Sequence, residues 1–314
     1  MIGAAGLAPG VSVYALKTFQ ATFGGNTGAT NMNSANAIDF ARYNYNVDVI
    51  NNSWSTTTDN AIISALSRAR TLGRSGKGIV VVQSVGNDFA NSIAFPSNQP
   101  DVVAVGAITS VGDRSPYSNK GTGISVVAPS SIVANSGTYC SGDGVPTASV
   151  TSNSSCYGQG LAAGYVRFGG TSAAAPQVAA VAAMVLARNP NLTSTQVRDR
   201  IRANADSWGP VNEVGYGKVN AYLAVVGRLA VAISGNTLVQ PGVVTRTCSA
   251  SGGEDPKSFR WYLSYSSDEA SLFDTGVTSQ AFSQTINSGE SFLTRCVVTS
   301  GLQVVYAQKA MIAQ

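Results

Sequence analysis

The run Phe168-Gly169-Gly170-Thr171-Ser172-Ala173-Ala174-Ala175-Pro176-Gln177-Val178 decides how the rest of the chain is read. A tight glycine turn delivers a serine into the first turn of a small-residue helix that extends to about Arg188. The opening N–H groups of a helix have no intrahelical acceptor, and the macrodipole adds partial positive charge at that end. Ser172 therefore stands among backbone donors aimed at whatever its hydroxyl attacks. Gly170 lets the backbone pass close to a bound ligand, and Pro176 is read as lying where the helix has no N–H bond to lose. Gly-Thr-Ser by itself also fits a serine that only caps a helix.

A second motif lies upstream. Ile79-Val80-Val81-Val82-Gln83-Ser84-Val85-Gly86-Asn87-Asp88 is a buried apolar strand ending in Gly-Asn. In this order and at this spacing the two motifs resemble those of the subtilisin-like serine proteases (subtilases), the run around Ser172 especially the kexin-like ones. The resemblance covers about residues 3–226. Asn52-Ser53-Trp54-Ser55 is similar to the family's substrate-lining strand end, and Gly215-Tyr216-Gly217-Lys218-Val219-Asn220-Ala221 to its closing motif. It implies Ser172 as nucleophile and an oxyanion hole made by the Asn87 side chain and the Ser172 N–H. Acyl transfer develops charge on a carbonyl oxygen, and a fixed amide donor meets that charge without reorganising. It also implies a substrate groove with Ser53, Trp54 and Ser55 on one side and Gln83, Ser84, Val85 and Gly86 on the other. Gly170 and Thr171 lie beside the nucleophile. Trp54 reads equally well as core.

A serine hydroxyl also needs a base, and the sequence contains no histidine. The family's catalytic Asp and His belong to motifs that precede the segment matched at Gly3. The expectation is an endopeptidase chain truncated before both, and inactive as written. The alternative is a non-catalytic subtilase-like protein that binds peptides or a surface. The sedolisin solution, a glutamate in place of histidine, fails because the first glutamate is Glu213, beyond the nucleophile. Kexin-like enzymes place acidic residues soon after the tryptophan. Here Thr56, Thr57 and Thr58 come first and Asp59 follows alone, so dibasic cleavage is not expected.

Short Val/Ile runs at residues 47–51, 102–107 and 124–129 alternate with helical patterns at 35–43 and 60–72, as in a parallel sheet covered on both faces. Residues 11–16 read as a further short strand. Thr193-Ser194-Thr195-Gln196 reads as a capping-box start for a helix to about Ala203. Residues 130–164, rich in Ser, Thr, Gly and Asn, read as a surface excursion. From about Leu229 the pattern turns to short alternating strands at 245–249, 258–264, 281–286 and 292–299. Cys248, Trp261 and Cys296 follow the order of an immunoglobulin-like sandwich, although Thr294 stands where such a domain has its tyrosine. A different small β-sandwich remains open. The expected organisation is an incomplete subtilase domain at 1–227 and an Ig-like domain at 228–314.

Charged residues make up only 11% of the chain, against roughly a quarter in ordinary domains. The net charge of +4 is spread without a dense basic cluster, which argues against nucleic acid as a partner; a polypeptide substrate is what the resemblance implies. Oligomeric state is not legible. Cys140 with Cys156 and Cys248 with Cys296 is the economical disulfide pairing and implies a secreted protein; four buried thiols are the other reading. No zinc site is expected and no cofactor is required; calcium is common in the family, but no ligand cluster assigns it a site. The most apolar stretch, residues 178–187, is about half the length that spans a membrane and reads as a core helix.

Overall fold

A strand buried on both faces must be apolar at nearly every position, and residues 79–85 are built that way. In the computed structural model, which describes residues 6–18, 20–21, 27–28, 30–133, 143–148, 164–236, 238–240, 242–266 and 269–313, Val80 and Val82 point into one core cluster. Ile79 and Val81 point into another. The chain separates into two compact units, Met1–Val225 and Val226–Gln314.

The first unit opens with two short paired strands, β1 (Gln20–Ala21) and β2 (Thr27–Gly28), and helix α1 (Asn31–Asn44). A four-stranded parallel sheet follows, in the spatial order β3 (Val49–Asn52), β4 (Val80–Ser84), β5 (Val103–Ile108) and β6 (Ile124–Pro129). Helix α2 (Asn60–Leu72) crosses from β3 to β4 and shares one face of the sheet with α1, through Ile38, Ile62, Leu66 and Ala69. The antiparallel pair β7 (Val145–Ala148) and β8 (Tyr165–Phe168) leads into α3 (Thr171–Arg188). Ala174, Ala175 and Ala182 of α3 are fully buried on the opposite face, where their small side chains let the helix lie close to the strands. Helix α4 (Ser194–Ala203) follows, with α5 (Val211–Val214) and α6 (Ala221–Val226) closing the unit.

Several expectations meet the structure directly. α2 and β6 have the predicted bounds, and α4 opens on the capping box of Thr193 and Gln196. α1 begins earlier than its apolar periodicity suggested, because Thr30 caps it by accepting from the Asn33 N–H at 3.1 Å. Helix α3 is long and apolar enough to cross a membrane, yet half of that window is buried inside the protein. Residues 11–16 are not a strand, and Val13 is 84% exposed. A strand exists only through its ladder, and no described strand pairs with this stretch. β3 likewise has a partner on one side alone among the described residues. Residues 134–142 and 149–163, with Cys140 and Cys156 among them, lie outside the described residues.

In the second unit a three-stranded sheet, β14 (Ala281–Ile286), β11 (Gly242–Ser251) and β9 (Ala230–Ser234) in spatial order, faces a five-stranded one. The latter runs β10 (Leu238–Val239), β16 (Gln303–Ala313), β15 (Ser291–Ser300), β12 (Ser258–Ser264) and β13 (Phe273–Asp274). Cys248 of β11 and Cys296 of β15 form a disulfide between the sheets. Trp261, fully buried, sits opposite Cys296 in the ladder and donates its indole N–H to the Ser279 carbonyl at 3.0 Å. Strands β9 and β16 escaped the sequence reading. Both alternate half-buried with exposed positions, and β16 carries Gln, Lys and Tyr among its valines.

Two carboxylates tie the helices of the first unit together. Asp39 of α1 takes the Arg68 guanidinium of α2, and that hydrogen bond holds its carboxyl below the usual value of 3.8. Burial pushes the Asp101 carboxyl up, but hydrogen bonds from Arg70 of α2 and Arg198 of α4, with their charge, outweigh it and bring it below 3.8. A carboxylate whose pKa is depressed by folding stabilises the fold above the unfolded value, and that contribution disappears as pH falls through the folded value. We predict that the urea midpoint is flat down to about pH 4.5 and falls below about pH 4. Asp101→Asn should lower the neutral-pH midpoint and make the acid limb shallower; an unchanged limb would remove Asp101 from the account.

Candidate active site

Helix α3 starts on a residue that has no side chain to cap it. Gly170 is its N-cap, at φ 81° and ψ 168°, a conformation that favours glycine. The helix start is satisfied from outside instead. Asn87, just past the carboxyl end of β4, turns its Oδ1 toward Thr171 and accepts from both the Thr171 N–H and hydroxyl, each at 2.8 Å. With Oδ1 so occupied, the orientation of the amide is settled, and Nδ2 is left without a hydrogen-bond partner among the described residues. A Cβ built on Gly170 would press on that Nδ2 at 3.1 Å, a tight contact at a position whose positive φ already favours glycine.

Ser172 is the second residue of α3 and is half-buried. Its hydroxyl donates to the Ser53 carbonyl at 3.1 Å, and the Ser53 hydroxyl donates back to the Ser172 carbonyl at 2.9 Å. The second bond has a local cause. Pro176 is the sixth residue of α3, not part of its opening turn as the sequence suggested. It has no N–H for the carbonyl four residues earlier, which is that of Ser172. Ser53 supplies the missing donor from the end of β3.

The other predicted positions are placed as follows. Trp54 packs against the α1–α2 cluster, and its carbonyl accepts from the Gln83 side chain; Ser55 is exposed. Gln83, Ser84, Val85 and Gly86 are all buried. The Val85 N–H donates to Val105, and the Val85 carbonyl accepts from Ala94 and Asn119. The Val85 backbone is thus engaged within the fold, and the place of this stretch in a substrate groove stays an expectation. Asp59, the lone carboxylate after Trp54, caps α2 through the Ala61 and Ile62 N–H groups. Among the described residues no three His, Cys, Asp or Glu side chains gather as metal ligands.

Sequence reasoning missed Tyr117, Asn119 and Ser130, which hold the loops on either side of the site. Tyr117 and Asn119 lie in the stretch Ser115-Pro116-Tyr117-Ser118-Asn119, too polar to read as core and yet buried at four of its five positions.

A parallel sheet covered on both faces, with a serine in the first turn of a helix and an asparagine amide beside it at a strand end, defines a serine-hydrolase type of site on an α/β fold. Residues 1–217 match the Subtilase family, and the chain belongs to that family. It is 31% identical over 227 residues to subtilisin Savinase of Lederbergia lenta, covering 71% of each chain. It is 30% identical to alkaline elastase YaB of Bacillus sp. (strain YaB) and 31% to subtilisin E of Bacillus subtilis (strain 168). Those matches take 71% of this chain but span about half the length of each relative, 50% and 51%. Among solved structures, a protease of Pseudoalteromonas arctica aligns with a TM-score of 0.50 at 29% identity, over 63% of this chain and 59% of that one. A lanthipeptide protease aligns at 0.51 and 27%, over 63% and 66%.

The Ser53–Pro176 relation is testable. Ser53→Ala should destabilise the protein by about 1 kcal/mol, because it strips the Ser172 carbonyl of its donor. In a Pro176→Ala background the backbone N–H restored at position 176 supplies the bond, and the same substitution should cost clearly less. Equal costs in a urea double-mutant cycle would show that Ser53 does not stand in for the missing N–H.

Proposed function

We propose that this chain carries the nucleophile and oxyanion hole of a secreted serine endopeptidase that acts on polypeptides through an acyl-enzyme on Ser172. The observation that carries the proposal is the orientation of Asn87. Its oxygen is spent on Thr171, which leaves Nδ2 as a fixed donor beside the helix start where the Ser172 N–H also lies. Fixed donors of this kind are worth roughly 10²–10³ in turnover, a figure measured on subtilisin, a member of the same family. The Ser53 strand end supports an extended substrate. Basic specificity is not part of the proposal, since Asp59 is already committed to capping α2.

Attack by Ser172 requires its proton to leave, and its hydroxyl here meets a peptide carbonyl, which cannot take one up. With no histidine in the sequence, we place the imidazole and its carboxylate in residues outside these 314. The side of β3 that has no partner among the described residues is where a further strand would continue the parallel sheet. The domain division proposed is an incomplete catalytic domain at 1–227 and an Ig-like sandwich at 228–314, supported by the Cys248–Cys296 bond beside Trp261. That disulfide and the low charge content support secretion.

The polypeptide of 314 residues should cleave casein no faster than its Ser172→Ala variant, since loss of the base costs about 10⁶ in subtilisin. The reading frame upstream of the Met1 codon should encode an Asp motif and then a His-Gly-Thr motif, and the extended product should cleave casein in a Ser172-dependent way. Ser172-dependent cleavage by the shorter chain would overturn the missing-base argument. A stop codon with no such motif would leave the alternative, a subtilase-like protein that binds peptides without cutting them.

A further inference from the structure

The loop between β5 and β6 touches both sides of the site, and four of its residues are buried as deeply as the core. Ser115, Tyr117, Ser118 and Asn119 are each 1% exposed or less. Connecting segments ordinarily run over the surface, because their polar groups need water. Here those groups are turned on neighbouring loops.

Asn119 grips the loop that carries Asn87. Its Oδ1 accepts from the Asp88 N–H at 2.8 Å and the Ala90 N–H at 3.0 Å. Its Nδ2 donates to the Val85 carbonyl and to the Asp88 carboxylate, both at 3.1 Å. The Asn119 N–H donates to the Gly86 carbonyl at 3.0 Å, and the Phe89 N–H donates to the Tyr117 carbonyl at 3.1 Å. Asn87 is thus fixed from both sides. A Cβ at Gly86 would fall 2.4 Å from Asn119 Nδ2, so the close approach depends on that glycine.

Tyr117, two residues earlier, grips the other half. Its hydroxyl accepts from the Gly170 N–H at 3.2 Å and donates to Ser130 Oγ at 3.0 Å. Ser130 Oγ in turn donates to the Gly170 carbonyl at 2.7 Å. The donors form a closed ring through both polar ends of the residue that caps α3.

We propose that Tyr117 and Asn119, with Ser130, are positioning residues that set the separation between the Asn87 amide and the Ser172 N–H; this rests on the reading of those two groups as an oxyanion hole. The two donors stand on different elements, one after β4 and one on α3. One short buried segment holds both, so their spacing is that of a rigid strut. A displacement of about 1 Å in such a site costs up to roughly 10²-fold in rate.

Two measurements on the 314-residue chain test this. In amide hydrogen exchange, Asn119→Ala should speed exchange at Asp88 and Ala90 by about tenfold or more while Gly170 and the β5 amides hold their rates. Tyr117→Phe should do the reverse, speeding Gly170 alone; Ser130→Ala, which only opens the ring, serves if Tyr117→Phe does not fold. A uniform acceleration that includes β5 would show a general loss of stability and overturn the proposal. The second measurement is hydrolysis of an activated peptide p-nitrophenyl ester. An oxyanion hole without its base retains acceleration over water on the order of 10³. Asn119→Ala and Tyr117→Phe should each lower kcat by about tenfold with KM changed less than about twofold. Clamp variants that match the parent chain, while Asn87→Ala does not, would sink the positioning role. Equal rates for the parent and Asn87→Ala would instead sink the oxyanion-hole reading itself, and the exchange pattern would still report on the clamp.

Discussion

A helix that begins on glycine must have its first turn satisfied by other parts of the chain, and the site is organised by that requirement. Gly170 offers no capping side chain, so Asn87 takes the Thr171 N–H, and Tyr117 with Ser130 takes both ends of Gly170. Pro176 adds a second deficit further along by leaving the Ser172 carbonyl without its helical donor, and Ser53 fills it. Each group recruited this way comes from a different element, the ends of β3, β4 and β6 and the loop between β5 and β6. These two local deficits therefore gather the carboxyl ends of the sheet around a serine.

The sheet makes this gathering possible because it leaves little freedom elsewhere. Burial on both faces forces near-continuous Val and Ile, and the alanines of α3 let that helix pack directly on the strands. Arg74 adds a polar anchor. Its guanidinium reaches the carbonyls of Gly78, Pro190 and Leu192 at 3.1, 2.9 and 3.0 Å, so the turn before β4 is tied to the loop between α3 and α4. The strand ends consequently present their side chains from a rigid base, which a preorganised electrostatic site needs.

The chemistry follows from which groups are already committed. Asn87 has spent its acceptor and kept its donor, the arrangement suited to a developing oxyanion. Ser172 has spent its hydroxyl proton on a carbonyl, an arrangement that holds the oxygen in place without activating it. The fold thus supports charge stabilisation more fully than nucleophile activation.

Much of this was legible in the sequence, and the limit is physical. Runs such as Val80-Val81-Val82, the capping pair of Thr193 and Gln196, and the turn before Ser172 signal their structures locally, because strand burial, helix capping and glycine conformations depend on neighbours in the chain. The order Cys248, Trp261, Cys296 similarly announced a disulfide packed beside a core tryptophan. The tertiary structure alone decided the rest. Whether residues 11–16 form a strand depends on a partner strand. Whether Pro176 costs a bond depends on where α3 begins, and Ser53 is 119 positions away from the carbonyl it serves. The polar stretch of residues 115–119 carries no local sign of being a buried brace, since a polar group is stable inside only when distant residues complete its hydrogen bonds.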